Sequence, residues 1–290
     1  MIQVNPPLLD EFLNSLGHST SIQYRRDIER FSEFTNHQPI ESIPMALCLQ
    51  YKASMAELAA NTVNRRLNSV RSYFEFLRRY GSLQVNPMTV VNRAKGAFNP
   101  TNVLDDDEVN RILETTTNPM HLAVLGCLFY LGLRRSEVCK LRILDMSSSG
   151  IHSTLRVQGK GSKQRMLPIP PVLQTMIQNY LYSSRGSIRV ADEPIFISWL
   201  NEGKDQKIPL HSNTITQIFK AACRRAKITK RVSPHSARVT AVSNAIENGA
   251  NLSYVQQMGG WSTLDMVSIY NRRKEELKNS ATYKINYGPK

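Results

Sequence analysis

The chain has 290 residues, 41% of them hydrophobic, which favours two domains that each bury a core. Its net charge of +14 is expected of a surface that binds phosphates rather than neutral metabolites. The longest apolar run, residues 122–133, is too short to span a bilayer, and the N-terminus has no secretory signal. Four scattered cysteines show no metal-ligand spacing. We therefore expect a cytoplasmic protein that binds neither membranes nor a metal.

The first region is predicted to be helical throughout. Apolar residues recur at helical spacing over residues 7–16, 20–36, 45–58 and 61–80, with turn signals at 17–19 and 36–39. The last of these helices leaves five arginines largely outside its apolar stripe: Arg65, Arg66, Arg71, Arg78 and Arg79. One glutamate accompanies them. This face is therefore either a solvated charged surface or a surface that contacts DNA phosphates.

A linker is predicted after this region, because residues 85–104 contain two Asn-Pro steps and little helical periodicity. The expected boundaries are 1–86 for the first domain, 87–103 for the linker and 104–290 for the second domain. The second domain begins with acidic residues in a first helical turn, and the apolar run described above is predicted to be a buried helix.

A β-hairpin and four helices are predicted next. Residues 150–171 alternate apolar and polar side chains on either side of a Gly-Lys-Gly-Ser turn. The helices are predicted at 171–183, 213–226, 236–248 and 252–258.

Two basic residues lie where a ligand anion is one explanation of their placement. Arg134 follows the most apolar helix, where an unpaired guanidinium would be costly. It either forms an ion pair with Glu137 at the start of the next helix or binds an anion. Lys160 is at the tip of the predicted hairpin. It is either a solvated turn lysine or a lysine directed at a ligand.

Similar alternatives apply to four residues later in the chain: His235, Arg238, Trp261 and Tyr270. His235 and Arg238 are three residues apart on one helix face, after Pro234, and the alternative is a capping histidine beside a surface arginine. Trp261 follows two glycines and is by default a core aromatic residue. Tyr270 lies at the edge of the apolar stripe of a short predicted helix. Its position alone does not distinguish a packing tyrosine from a nucleophile.

Together these residues form the ordered set Arg, Lys, His-x-x-Arg, Trp, Tyr, which resembles the catalytic signature of the tyrosine site-specific recombinases, the phage integrase family. LGLRRSEVCKL is similar to the first arginine box of the family, GKGSKQRMLPIP to its lysine hairpin, and residues 235–272 to its second box through to the nucleophile. The last string is most similar to Cre and to Xer-type recombinases, although Xer-type members usually have a histidine in place of Trp261. The resemblance covers about residues 55–290.

The resemblance implies a role for each matching residue. Tyr270 would be the nucleophile, Arg134 and Arg238 would bind the scissile phosphate, and Lys160 would be the general acid. The reaction that these roles imply needs no cofactor.

Three further residues would support that site. His235 and Trp261 would contact the reacting groups, and Glu137 would orient its neighbours. Arg135 departs from the family pattern, in which this position is usually apolar or small. The Gly-Leu-Arg register nevertheless assigns the phosphate-binding role to Arg134.

The resemblance also implies a mainly α fold. An N-terminal helical core-binding domain, SAM-like, would precede a mainly helical catalytic domain with a small antiparallel β-sheet, the fold of DNA breaking-rejoining enzymes. Two subunits would bind each inverted-repeat site on double-stranded DNA, and four would form the synaptic complex. A type IB topoisomerase that only relaxes DNA and a non-catalytic DNA-binding regulator on the same scaffold are the alternatives.

The biological role follows less directly. The chain begins almost at the predicted core-binding helices, which leaves no room for a further N-terminal domain that binds arm sites. We therefore expect a recombinase that resolves plasmid or replicon multimers or cointegrates, with integration or excision of a mobile element as the alternative.

Overall fold

The computed structural model describes residues 8–95, 102–150, 152–159, 163–185, 190–198, 207–264 and 267. The chain divides into two units, Met1–Asn99 and Pro100–Lys290. Both units are mainly helical in the described ranges, and the second contains a small antiparallel sheet, so the predicted fold class is confirmed. No helix within these ranges is both long and apolar enough to cross a membrane.

The described part of the first unit contains the four predicted helices: α1 (Leu9–Asn14), α2 (His18–Phe34), α3 (Met45–Ala53) and α4 (Ala60–Arg79). The buried residues of α4 include the whole of the predicted stripe: Val63, Leu67, Val70, Phe74 and Leu77. They pack with Phe12 of α1, Phe31 of α2 and Tyr51 of α3 in one core. The amphipathic pattern therefore predicts both the helix and its buried face.

Two helix ends differ from the prediction. Helix α2 begins at His18, inside the predicted turn. Helix α3 ends at Ala53, although its apolar spacing continues to Leu58. Ser54 follows that end, and its hydroxyl donates to the carbonyl of Tyr51 over 2.8 Å. A serine hydroxyl bonded to the preceding turn competes with the helical hydrogen-bond pattern, which accounts for the early end.

The first part of the predicted linker is packed into the first unit. Residues Pro87–Val90 form a 3-10 turn, and the side chains of Met88 and Val91 are almost fully buried in the first core. Asn64 of α4 forms two hydrogen bonds with the backbone of Ala94, of 2.7 and 3.0 Å. The first residues of the predicted linker therefore pack with the first unit, and the short range of this turn leaves too little periodicity for the sequence to reveal it.

The described part of the second unit contains the following helices: α5 (Asp106–Glu114), α6 (Pro119–Tyr130), α7 (Arg135–Val138), α8 (Pro171–Arg185), α9 (Ser212–Arg225), α10 (Pro234–Glu247) and α11 (Leu252–Gly259). Helix α5 begins with a capping box between Asp105 and Glu108. Helix α6 is apolar on all sides and is buried at the centre of the main core of the unit. Its burial confirms the prediction made from the apolar run.

The sheet has the order β1 (Met146–Ser149), β2 (His152–Gln158), β3 (Gln164–Pro168), and both pairings are antiparallel. β2 and β3 form the predicted hairpin, with Leu155 opposite Leu167 and Val157 opposite Arg165. Strand alternation places these four residues on the face that packs on the core. The sequence does not predict β1 as a strand, because Met-Ser-Ser-Ser has no apolar alternation.

A second, smaller hydrophobic cluster is separate from the main core. We call it the valine cluster, and its buried members are Val239, Val242, Val255 and Val267. Val103, at the start of the second unit, and Trp261 pack against it. The cluster therefore joins helices α10 and α11 to the first residues of the unit and to the segment that follows α11.

Hydrogen bonds reinforce this junction at the start of the second unit. The amide of Leu104 donates to the hydroxyl of Thr240 on α10 over 3.0 Å. Asn244, also on α10, donates to Asp106 over 2.9 Å, and Asn102 donates to the carbonyl of Arg231 over 2.9 Å. The residues that open the unit are thus fastened to helix α10.

Candidate active site

Arg134 lies between α6 and α7, at the N-cap of α7. The chain turns at Gly132, whose φ of +58° favours a residue without a side chain. The guanidinium Nη1 of Arg134 donates to Oε1 of Glu137 over 2.8 Å, and its backbone amide donates to Oε2 over 2.9 Å. The ion pair that the sequence left open is therefore present. The side chain of Arg134 remains 40% exposed, so the pair does not withdraw it from a ligand.

Arg135 points elsewhere. Its side chain donates to the hydroxyl of Thr216 on α9 over 3.0 Å and makes none of the contacts with Glu137. This placement supports the choice of Arg134 over its neighbour as the arginine of the site.

Arg165 is a residue of this site that the sequence reasoning missed. It projects from β3, is only 8% exposed, and its two terminal nitrogens donate to the two carboxylate oxygens of Glu137 over 3.1 and 2.9 Å. Its Nε donates to the carbonyl of Met258 over 3.0 Å. The strand register contained a sign of this role, since an arginine two residues before buried Leu167 falls on the core face.

Glu137 is a buried carboxylate that remains ionised. Burial raises the pKa of Glu137, but this effect is outweighed by the hydrogen bond from Arg165, the backbone amide of Arg134 and the charges of the two guanidiniums. The net result is a pKa below its ordinary value. Glu137 is therefore ionised at neutral pH and holds two arginines in fixed positions.

Arg238, in the first turns of α10, is 1% exposed. Its Nη1 donates to the carbonyl of Gly132 and its Nη2 to that of Gly259, each over 2.5 Å. The guanidinium lies 4.7 Å from the centre of the Trp261 ring. These contacts compensate the cost of removing the charge from water, and they tie α10 to the turns before Arg134 and before Trp261.

The Gly259–Gly260 pair is required by the way Trp261 packs. A Cβ on Gly259 would lie 2.1 Å from the indole ring. Gly260 has a φ of +60°, and a Cβ there would lie 3.2 Å from Nη1 of Arg165. Trp261 is half-buried between Arg238 and the valine cluster, and its contact with the reacting groups stays a prediction.

A concave surface of about 870 Å³ collects these groups. The residues lining it include Arg134, Lys163, Arg165, Gln257 and Trp261. Its polar and cationic lining is suited to an anionic ligand rather than to an apolar one. Within the described residues, no cluster of three or more His, Cys, Asp or Glu side chains is arranged to hold a metal ion.

The remaining predicted site residues differ in what the structure says of them. His235 is exposed on α10, one turn before Arg238. Lys160 and Tyr270 lie outside the described residues.

The five arginines of α4 have contacts within the first unit that the sequence did not reveal. Arg65 forms an ion pair with the fully buried Asp27 of α2, and Glu75 accepts hydrogen bonds from both Arg78 and Arg79. The predicted excess of positive charge on this face is therefore reduced by a carboxylate from another helix.

The two remaining arginines of this set are partly buried. Arg71 donates to the carbonyl of Val91 over 2.5 Å, and Nε of Arg66 is buried without a hydrogen-bond partner. Contact of the five arginines with DNA remains a prediction.

Two family models match the chain. Residues 102–276 match the phage integrase family, and residues 9–81 match the phage integrase N-terminal SAM-like domain. Among similar proteins, the tyrosine recombinase XerC of Halalkalibacterium halodurans is 28% identical over 277 residues, which cover 90% of this chain and 89% of that protein. The tyrosine recombinase XerD of Lacticaseibacillus casei is 27% identical over 265 residues, or 88% of each chain.

Solved structures share the fold. The XerH site-specific recombinase bound to a palindromic difH substrate, in a post-cleavage complex, has a TM-score of 0.76 at 16% identity and covers 96% of this chain and 84% of that one. A lambda integrase dimer bound to a COC' core site has a TM-score of 0.73 at 15% identity, covering 94% and 79%. A lambda integrase tetramer bound to a Holliday junction has a TM-score of 0.73 at 16% identity, covering 93% and 78%.

The resemblance found in the sequence is thus confirmed by the family models and by relatives along nearly the whole chain. Because the catalytic-domain model alone spans more than half of the residues, this chain belongs to the phage integrase family and is a tyrosine recombinase.

Proposed function

We propose that this recombinase cleaves DNA by attack of Tyr270 on a phosphodiester and holds the broken strand as a 3′-phosphotyrosine. The observation that carries the proposal is the placement of Arg134 and Trp261 on the concave surface, with the Arg238 guanidinium 4.7 Å from the Trp261 ring, in the chain order of the family signature. Tyr270 completes that order, nine residues after Trp261.

The two arginines have the chemistry that this step requires. Attack on a phosphodiester builds a trigonal-bipyramidal phosphorane with additional negative charge on its non-bridging oxygens. Planar guanidiniums held in fixed directions stabilise that charge without a metal ion. Arg134 is held by Glu137, and Arg238 by two backbone carbonyls, so both guanidiniums are held in fixed directions.

Two proton transfers accompany the attack. The phenol of Tyr270, with an ordinary pKa of about 10, loses its proton, and we assign the role of acceptor or positioner to His235. The departing 5′ oxygen gains a proton, which we assign to Lys160. The exposed position of His235, one turn before Arg238, supports the role that we assign to His235.

A tyrosine serves recombination better than water would. The 3′-phosphotyrosine retains the energy of the broken bond, so the 5′ hydroxyl of another strand reverses the step without ATP. A water nucleophile would leave hydrolysed strands, which is the outcome of a nuclease.

We further propose that two subunits bind an inverted-repeat site and that four subunits form the synapse. Support comes from the similar structures, which include a recombinase on a palindromic substrate, a dimer on a core site and a tetramer on a Holliday junction. The net charge of +14 suits a duplex enclosed by several subunits. The first domain would contribute to that binding.

The biological role that we propose is the resolution of plasmid or replicon multimers or cointegrates in the cytoplasm, with integration or excision of a mobile element as the alternative. The 28% identity to a XerC protein over most of both chains supports a recombinase of this simple two-domain plan. Sequencing the DNA that flanks the gene tests it, since a pair of inverted repeats there would supply the substrate.

The substitution Tyr270→Phe tests the mechanism. It removes one oxygen, and we expect it to abolish the covalent protein–DNA complex on a suicide substrate while half-site binding stays unchanged. The substrate is taken from sites that the chain selects out of random-sequence duplex DNA. Tyr283→Phe and Tyr287→Phe are the matched controls and should form the complex normally.

Two outcomes would contradict the proposal. Protein-linked DNA formed by the Tyr270→Phe variant on a denaturing gel would remove Tyr270 from the reaction. Relaxation of supercoiled DNA by the native chain, without recombinant product from two sites, would indicate a topoisomerase instead.

A further inference from the structure

Arg165 is held at the site by several contacts. Its guanidinium makes three hydrogen bonds, two to Glu137 and one to the carbonyl of Met258, and it packs against the backbone of Gly260. It therefore connects three separate segments: strand β3, which bears it, helix α7 and the end of helix α11. Neither Arg134 nor Arg238 joins this same set.

Glu137 uses its full accepting capacity in this arrangement. Oε1 accepts from the side chains of Arg134 and Arg165, and Oε2 accepts from the backbone amide of Arg134 and from Arg165. A carboxylate has about four lone-pair sites, so all of them are occupied. While Arg165 fills two of these sites, Glu137 has no lone pair left to accept from the other nitrogens of the Arg134 guanidinium.

We propose that Arg165 is a positioning residue of the recombination reaction, which fixes Glu137 and, through it, the direction of the Arg134 guanidinium, and which also holds the turn that leads to Trp261. The proposal rests on the function proposed above, because it takes Arg134 to be the arginine that binds the phosphate. Arg165 itself is 8% exposed, so its role is exerted through its neighbours.

Removal of Arg165 has two consequences for the site. Glu137 would keep its place in a buried environment with half of its acceptor sites empty, and would draw the second terminal nitrogen of Arg134 towards itself. The carbonyl of Met258 would lose its donor, which loosens the connection between β3 and the Gly259–Trp261 turn. Both changes displace groups by the small distances to which catalysis is most sensitive.

The test compares Arg165→Lys and Arg165→Gln with a matched control, Arg156→Lys. Lysine keeps the charge but lacks the fork that reaches Glu137 and Met258 together, and glutamine removes the charge. Arg156 lies on the adjacent strand β2, on the opposite face from Val157 and Arg165, and pairs with Asp145. Its substitution makes the same Arg-to-Lys change in a more exposed ion pair of the same sheet.

We expect both Arg165 variants to form the covalent complex about 100-fold more slowly than the native chain, with half-site affinity little changed. The control should cleave at the native rate.

A pH profile separates positioning from general damage. In the described residues, the charged groups facing Glu137 are Arg134 of its own helix and Arg165 of β3, with Lys163 lining the same concave surface. Arg165→Gln removes part of what lowers the pKa of Glu137 while burial still raises it. The pKa of Glu137 rises, so the acidic limb of the cleavage rate moves to higher pH. Arg165→Lys should keep that limb near its native position.

A second readout needs no DNA. The chain has two tryptophans, Trp199 and Trp261, so a Trp199→Phe background leaves Trp261 as the fluorescent reporter. We expect acrylamide to quench Trp261 more strongly in the Arg165 variants than in the control.

The outcomes distinguish this inference from the proposed function. Native cleavage rates in both Arg165 variants, or an equal loss in Arg156→Lys, would overturn it. A native chain that forms no covalent complex would overturn the proposed function, and the quenching of Trp261 would then test the inference alone. Unchanged quenching in the Arg165 variants would reject the inference. Greater quenching would support the role of Arg165 in holding the turn before Trp261.

Discussion

Arg134 and Arg238 differ in burial, and this difference predicts two phenotypes for one kind of substitution. The side chain of Arg134 is 40% exposed. When Arg134 is substituted, Glu137 keeps its hydrogen bonds with Arg165. We expect Arg134→Ala to slow covalent-complex formation by about 100- to 1,000-fold, because one preorganised donor is lost. The free energy of unfolding should fall by only about 1 kcal/mol. Near-normal cleavage of a nicked substrate would contradict the assignment.

Arg238→Ala should impair both activity and folding. Removal of this buried guanidinium leaves the carbonyls of Gly132 and Gly259 without their donor and leaves a cavity against Trp261. We expect a loss of about 3 to 5 kcal/mol in the free energy of unfolding, measured by urea denaturation, besides the loss of cleavage. Equal stability of the two alanine variants would show that the burial difference has no energetic meaning.

The sequence indicates Arg134 and Arg238 as candidate site arginines but does not reveal how they are held. Spacing indicated that Arg134 either pairs with Glu137 or binds an anion, and the structure contains the pair with room for a ligand. Arg165 was missed because its partners, Glu137 and Met258, are 28 and 93 residues away in the chain. Contacts of that sequence separation arise from the fold, and the strand register indicates only that Arg165 faces the core, not which groups it contacts.

The valine cluster gives a prediction for helix α10, helix α11 and the segment after them. Val267 is 1% exposed within it, and Tyr270 follows three residues later in the sequence. We expect Val267→Ala to lower covalent-complex formation at least tenfold, since a cavity costing about 2 kcal/mol falls in the smaller cluster. Global stability, measured by thermal denaturation, should change less because the main core is untouched.

Val124→Ala is the matched control for that prediction. Val124 is fully buried in helix α6 within the main core. The same substitution there should lower the melting temperature and leave cleavage at low temperature unaffected. The opposite pattern would mean that the valine cluster does not position the nucleophile.

Elements with strong periodicity were predictable and those without it were not. Helix α4 and the hairpin β2–β3 follow from apolar spacing of the two regular periods. Strand β1 was missed because it is polar. The turn at Pro87–Val90 was missed because it is too short to show helical periodicity. Both are held by neighbours: β1 by pairing with β2, and the turn by burial of Met88 in the first core.

The proposed assembly of several subunits gives a prediction for residues 271–290, which lie outside the described residues. Their apolar positions Leu277, Ala281 and Ile285 are spaced i, i+4, i+8, a narrow stripe suited to a groove on a second copy of the chain. Truncation after Lys274 should leave half-site binding intact and weaken cooperative filling of the full site in a gel-shift titration.

The catalytic unit offers a surface of matching character. An apolar concavity of about 350 Å³ is lined in part by Met166, Leu167, Tyr254 and Val255. Leu277→Ser should reproduce the truncation, whereas Asn279→Ser, a polar position of the same segment, should not. Cooperativity that survives both the truncation and Leu277→Ser would exclude this docking.

The contacts that hold the adjoining ends of the two units limit where a chimeric protein can be joined. Met88, Val91 and Ala94 are secured to the first unit, and Asn102 to Asp106 are fastened to helix α10 of the second. A chimera joined at residue 86, where composition places the boundary, would remove part of one core and graft it onto the other. Crossovers placed within 96–101 would transfer each unit with its anchors, so a DNA-binding domain of new specificity could be exchanged without disturbing the helix that carries Arg238.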